Sequence, residues 1–350
     1  MRFLFPIVVL IAFTAILVAF TVAWVGFSFR QFETIEPMGE LACESVVGVY
    51  GAADIEPIPD TSSVYISSLD RRRDAERGAI LRFDTDNPLD SSSWRDRTGG
   101  QPLVFQPMGI DLFTSSLPDG RTLRRLFVVN FIGPEILLYD IDAQGDLVLR
   151  EVFTDPRLIS PNDIVATGPR SFYVTNDTPS GRRSIRGKVD FLLGLKVGQI
   201  LHYDGNSWSD VASGLAFPNG ITLSDDGEKL YLAEMRGRRL LSYDRNPDTD
   251  QLRLSDAVRL GTFPDNVSID ARGNVLVGAV PQPLSLSAYT EGLQETTASQ
   301  ILRVHEDGEV ETIFQGPGDR LSASTTAVTL RNKLLIGSRS ADRFLMCKAG

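Results

Sequence analysis

Asp54, Asn162, Asn219 and the pair Asp265-Asn266 are the residues whose types and spacing point most directly to chemistry. Each opens the same kind of phrase, a polar start followed by an aliphatic run, as in Asn162-Asp163-Ile164-Val165 and Asn219-Gly220-Ile221-Thr222. Carboxylate and amide oxygens are hard donors, and calcium gathers roughly six to eight of them together with backbone carbonyls. Zinc, which prefers nitrogen and sulfur, is disfavoured. Asn and Asp also begin strands and shape turns without any metal. Four of six equivalent openings occupied in register is nonetheless the pattern of one shared site.

The elements that must position these residues repeat six times. The phrases open at Asp54, Met108, Asn162, Asn219, Asp265 and Thr325, roughly 45 to 60 residues apart, a period of propeller blades rather than helical solenoids. Further strands follow within each unit, among them Ile80-Leu81-Arg82-Phe83-Asp84, Ile136-Leu137-Leu138-Tyr139-Asp140 and Ile200-Leu201-His202-Tyr203-Asp204. Their alternation of apolar and polar residues marks half-buried strands ended by polar turns. In a radial array the heads of the innermost strands face one axis, so residues far apart in sequence become neighbours. The predicted fold is all-β, a six-bladed β-propeller over 43–350 closed near its termini. It is preceded by a helix in 1–29 and a juxtamembrane linker over 30–42.

Phe3 through Phe29 carries no charge and is fenced by Arg2 and Arg30. Such a run can span a bilayer and exceeds the apolar core of an ordinary signal peptide, so an uncleaved anchor is preferred over a cleaved leader. Cys43 and Cys347 are the two cysteines, one just before the first blade and one just after the last. Ring closure brings the chain ends together and with them a candidate disulfide; the alternative is two unrelated buried thiols. A disulfide would place the propeller on the extracytoplasmic side, periplasmic, extracellular or in a secretory lumen. The 182–196 segment, basic and then apolar, suits an interfacial helix over the mouth, or an ordered loop given Gly187 and Gly194. Arg71-Arg72-Arg73 and Arg236-Gly237-Arg238-Arg239 read as solvated loop charges. A net charge of -10, with no interleaving of aromatic and basic residues, excludes nucleic acid as the natural partner.

Several motifs in order resemble one family: Asp54-Ile55-Glu56-Pro57, Pro161-Asn162-Asp163-Ile164-Val165-Ala166, Phe172-Tyr173-Val174-Thr175-Asn176-Asp177, Phe217-Pro218-Asn219-Gly220-Ile221 and Asp265-Asn266-Val267-Ser268. From about Cys43 to Cys347 the chain is similar to the serum paraoxonase/arylesterase family of calcium-dependent hydrolases, within the wider six-bladed lactonase-like propellers. The resemblance implies two calcium ions. Asn162, Asn219, Asp265 and Asn266 would hold a catalytic one, and Asp54, Asp163 and the carbonyl of Ile110 a structural one. It also implies a small ester or lactone substrate, a hydrophobic N-terminal anchor and a terminal cystine.

Three positions depart from that family's pattern. Ala53 stands where the resemblance implies a glutamate on the catalytic calcium, and Met108 and Phe131 stand where it implies a pair of histidines. No proton passes between a methionine and a phenylalanine. His202 and His305 fall in strand phrases away from the axis, which argues against a Ser-His-Asp triad. Asp265 is then the candidate base or nucleophile, held ionised by an adjacent cation, while Glu56 reads as structural. The expected activity is calcium-dependent hydrolysis of aryl esters or lactones. The alternatives are a non-catalytic, calcium-stabilised propeller that binds a ligand or protein at its mouth, and a strictosidine-synthase-like condensing enzyme.

Overall fold

The computed structural model describes residues 4–88 and 94–349 and arranges them as six blades preceded by a helix. Strand β1 (Cys43–Val47) leads into blade one, β2 (Ala52–Pro57), β3 (Ser63–Ser68) and β4 (Ala79–Asp84). Blade two comprises β5 (Thr98–Gly99), β6 (Pro107–Ser116), β7 (Thr122–Asn130), β8 (Glu135–Ile141) and β9 (Leu147–Phe153). Blade three comprises β10 (Pro161–Ala166), β11 (Phe172–Asn176), β12 (Gly198–Tyr203) and β13 (Trp208–Leu215). Blade four is β14 (Pro218–Leu223), β15 (Lys229–Glu234), β16 (Arg239–Arg245) and β17 (Leu252–Arg259). Blade five is β18 (Pro264–Ile269), β19 (Val275–Ala279), β20 (Ser299–Val304) and β21 (Val310–Gly316), and blade six takes β22 (Ser324–Leu330), β23 (Lys333–Ser338) and β24 (Arg343–Lys348).

The blades are antiparallel meanders, apart from β5, which adds to β9 in parallel. Ring closure is made by β1. It pairs with β24 as the outermost strand of blade six, with Cys43 opposite Cys347 and a disulfide between them across 304 residues of sequence. Cys43 therefore belongs to the last blade rather than standing ahead of the first. The core lies between blades, where faces such as Phe127, Val129, Ile164, Phe172 and Val174 interdigitate. Val, Ile and aromatic side chains suit these positions because a branched or planar group packs well on a pleated surface.

Helix α1 (Leu4–Ser28) is long and apolar enough to cross a membrane by length and composition. Residues 1–3, 89–93 and 350 of the anticipated domain bounds lie outside the described residues. The end of α1 rests on the propeller: Phe29 is fully buried among Phe217, Met235 and Phe263, with Val25 beside them. The 30–42 linker is likewise laid on the surface, its Met38 exchanging backbone hydrogen bonds with Gln315. Two further helices cover the end of the ring where the site lies. These are α2 (Ile185–Leu193), capped by Ser184 and ended by left-handed Gly194, and α3 (Pro283–Thr290).

Candidate functional site

All six innermost strands share one irregularity. Pairing with the second strand shifts register between Ala52 and Asp54, Pro107 and Ile110, Pro161 and Ile164, Pro218 and Ile221, Pro264 and Val267, and Ser324 and Thr326. A bulge leaves its extra residue unpaired and re-aims the side chain. The skipped residues are Ala53, Met108-Gly109, Asn162-Asp163, Asn219-Gly220, Asp265-Asn266 and Thr325, which include nearly every donor singled out from the sequence. Ala53, Met108, Asn162, Asp265, Asn266 and Thr325 border one axial space of about 10 Å³, the size of a single water or ion.

Below that space, carboxylates staple blades one to two, two to three and three to four. Asp54 accepts from Ile110 N at 2.9 Å, Asp111 from Ala166 N at 2.8 Å and Asp163 from Ile221 N at 2.8 Å. Burial lifts Asp54 to about 7 and Asp111 to about 6, and raises Asp163 and Glu56 well above the usual carboxylate range. After burial, the charges that raise Glu56 are those of Asp111, Asp54 and Asp163. These carboxyls act on one another electrostatically, and Asp54, Asp163 and the Ile110 carbonyl are hard oxygen donors of the kind the expected structural calcium takes, two carboxylates and a backbone oxygen rather than a larger acidic ligand set. Glu56 and Asp111 belong to this cluster. Glu56 shares Asp54's face of β2 by alternation, a usable signal, whereas nothing in the sequence flagged Asp111.

The upper set also fits a hard cation in kind, with fewer charges. Asn162 donates its amide to Asp177 at 3.0 Å and Asn266 donates to the Ala53 carbonyl at 2.9 Å, so their amide oxygens remain for other partners. The amide oxygen of Asn219 is buried without a hydrogen bond. Asp265 is the one carboxylate of the expected four ligands. Without a cation beside it, burial pushes its carboxyl up to about 6, against the lowering effect of Arg339 and Arg182; the expected depression belongs to the calcium-loaded site. Among the described residues, no three or more His, Cys, Asp or Glu side chains are grouped as a ligand set. Calcium here would depend on amide and backbone oxygens.

The arginines correct one expectation. Arg71 is not a solvated loop charge: it donates to the carbonyls of Arg339 at 3.1 Å and Pro107 at 2.9 Å and touches Met108 Sδ at 3.2 Å. Arg182 pairs with the fully buried Asp177 and lies over Phe131 and Phe217. Arg183 also lies over Phe131 and donates to Gln106. Arg236 packs on Phe29 at 4.4 Å and donates to the carbonyls of Phe191 and Leu192, joining α1, α2 and blade four. These roles depend on long-range packing and left no local pattern in the sequence. Gly187 is required rather than tolerated in α2, since a Cβ there would lie 2.1 Å from the Gly181 carbonyl. His202 and His305 stay on strand β12 and just beyond β20, away from the axis.

Above the floor the mouth has two lobes that share Arg182, Thr290, Glu291 and Arg339. One, of about 500 Å³, is walled by Phe191, Leu192, Phe217, Met235 and Leu284 and reaches Asp265. The other, of about 510 Å³, is bordered by Arg71, Arg72, Arg183, Met108 and Phe131.

The architecture has relatives among solved structures, which at these identities speak for the fold alone. A gluconolactonase from Xanthomonas campestris superimposes with a TM-score of 0.58 at 15% identity, covering 90% of this chain and 91% of its own. A calcium-binding regucalcin from Agrobacterium tumefaciens gives 0.56 at 14% identity, covering 89% and 95%. By sequence, the serum paraoxonase/lactonase 3 of Homo sapiens is 27% identical over 324 residues, 88% of each chain. The serum paraoxonase/arylesterase 1 of Mus musculus is 28% identical over 326 residues, 88% of this chain and 89% of that one. The sequence profile of the family described as Arylesterase matches residues 75–349. With that match across most of the propeller and these relatives over nearly its whole length, the chain belongs to the arylesterase family, alongside the serum paraoxonases.

Proposed function

We propose that this mouth hydrolyses carboxylic esters, aryl esters among them, or lactones, in a calcium-dependent reaction with Asp265 as base or nucleophile. The observation that carries the reading is the position of Asp265, which borders both the oxygen-lined axial space and the apolar lobe above it. Its carboxyl, raised by burial to about 6 in the absence of a cation, is ionised at neutral pH and would be held more firmly so beside calcium. Calcium on Asn162, Asn219, Asp265 and Asn266 would act as a Lewis acid on the substrate carbonyl. The apolar lobe receives the acyl or aryl portion and excludes water from it. The similarity to proteins named arylesterase and lactonase supports the same reaction class.

The propeller would sit on the extracytoplasmic side, consistent with the Cys43–Cys347 disulfide, and be held at the membrane by α1. The α2 segment would lie close to the lipid surface, since Phe191 packs against Phe29 just beyond the end of α1.

The test is turnover of phenyl acetate and a small lactone panel by the protein with and without calcium. Calcium-dependent turnover that chelation abolishes while the fold persists is the expected result. Asp265→Ala should lower it by about 100-fold or more. Ala53, Met108 and Phe131 favour one other reading, a propeller that binds its ligand without chemistry. Stable protein that binds calcium and turns over none of the panel would establish that alternative.

A further inference from the structure

The two positions where a histidine pair would stand carry more than a loss of proton transfer. Met108 has Arg71 on its sulfur at 3.2 Å. Phe131 has the Arg182 and Arg183 guanidiniums over its ring at 5.4 and 5.6 Å. Both positions are apolar supports on which arginines are packed. A fourth guanidinium, Arg339, borders the axial space and both lobes.

The charge balance of the mouth is unlike that of the molecule. The chain carries a net charge of -10. The two lobes together are lined by Arg71, Arg72, Arg182, Arg183, Lys188 and Arg339 against the carboxylates of Asp74, Asp265 and Glu291. Of the cations, Arg182 is matched to Asp177. The guanidiniums of Arg71, Arg183 and Arg339 form no ion pair among the described residues, and that of Arg339 takes part in no hydrogen bond there. Burial lowers Arg339 to about 10, with Arg182 and Arg183 adding to it, and burial lowers Arg71 well below its usual value, with Arg339 and Arg182 adding to it. Gathering like charges in a half-buried site is unfavourable unless an anion offsets it. A planar guanidinium fork is the side chain best shaped to receive a carboxylate.

We infer that the substrate of this mouth carries a carboxylate in addition to its ester or lactone group. The carboxylate lies among Arg339, Arg71 and Arg183 in the cationic lobe, and the apolar portion lies against Phe191, Phe217 and Met235, with the scissile carbonyl between them at Asp265. That the bond cleaved is an ester or lactone rests on the function proposed above; the carboxylate subsite does not.

Two arms separate the readings. In the first, kcat/KM is compared between the mono-4-nitrophenyl ester of adipic acid and 4-nitrophenyl hexanoate, substrates of like length differing in the terminal carboxylate. The anionic ester should be preferred tenfold or more, mainly through KM, and the preference should fall as salt rises. In Arg183→Met the ratio should drop towards one, and in Arg183→Lys recover in part. Arg183 is the chosen site because it is exposed and its side chain donates only to Gln106, whereas Arg71 ties several backbone carbonyls together. In the second arm, calorimetry compares hexanoate with hexanamide on the same protein, with no turnover required. Tighter binding of hexanoate, weakened by Arg183→Met, supports the subsite even if no ester is hydrolysed. Equal kcat/KM for the two esters together with equal binding of hexanoate and hexanamide would overturn it while leaving the proposed hydrolysis standing.

Discussion

Among single residues, Ala53 bears most directly on the proposed calcium. Ala53 is buried at the bulge of β2, and its carbonyl already accepts from Asn266 and Thr325. Because calcium affinity scales with the number of ligand charges, Ala53→Glu should tighten calcium binding by about tenfold or more, read by calorimetry. An unchanged affinity would count against the ligand set assigned to the axial space. His202 gives the clearest pH signature away from the site. It is buried beside Tyr173, with Asp250 3.4 Å from Nε2 and Asp204 and Arg245 also acting on it. Burial lowers its pKa from 6.5 despite the two aspartates. The unfolded chain therefore binds the proton more readily than the folded one, and this residue's contribution to stability falls as pH drops through about 6.5. Melting curves between pH 7 and 5 should show a shallower loss in His202→Gln than in the parent protein.

At the scale of elements, the repeated bulge at the head of each inner strand does most to make a site out of six unrelated segments. It also demands close approach between blades. A Cβ on Gly109 would sit 1.9 Å from Asp163 Oδ1 and 2.5 Å from the Asp163 Cα. Gly109→Ala must push blade two from blade three and break the staple on which the lower carboxylates are arranged. It should cost about 3 kcal/mol or more in denaturant unfolding and weaken calcium-dependent stabilisation as well. The helices above the floor complete the mouth. Ser184 accepts from Gly187 N to start α2, and Arg236 fastens the end of α2 to the propeller. Phe191 and Leu192, two of the apolar lobe's walls, are held in this way, close to the end of α1.

Across the whole molecule, closure is made by β1 and the disulfide at its edge. Replacing Cys43 with serine opens a loop of 304 residues in the unfolded chain and should lower stability by up to about 6 kcal/mol in the entropy view. Strand β1 would still pair with β24, so the ring should form but melt earlier, visible as a fall in Tm that reducing agent reproduces in the parent protein. A variant with unchanged Tm would show that strand pairing alone sustains closure. The same closure fixes the mouth, because Thr325 of blade six and Ala53 of blade one meet only when the ring is shut.

The six-fold repeat, the oxygen donors at its heads, the apolar N-terminal run and the two terminal cysteines were legible in the sequence, because strand alternation and donor type are local properties of the chain. Asn162, Asn219, Asp265 and Asn266 could be named from their register alone. The tertiary structure decided what surrounds them. Asp111 and Glu56 joined the lower carboxylates because neighbouring blades pack closely at the axis, and Asp177 came beside Asn162 because β10 and β11 are adjacent. Arg71, Arg182 and Arg339 converge from loops of blades one, three and six; Arg71 read as a solvated loop charge, Arg182 as the basic start of a segment over the mouth, and neither reading hinted at the cationic lobe they line with Arg339. Charge and side-chain type are written residue by residue. Burial, and the company a charge keeps, arise only from the folded ring.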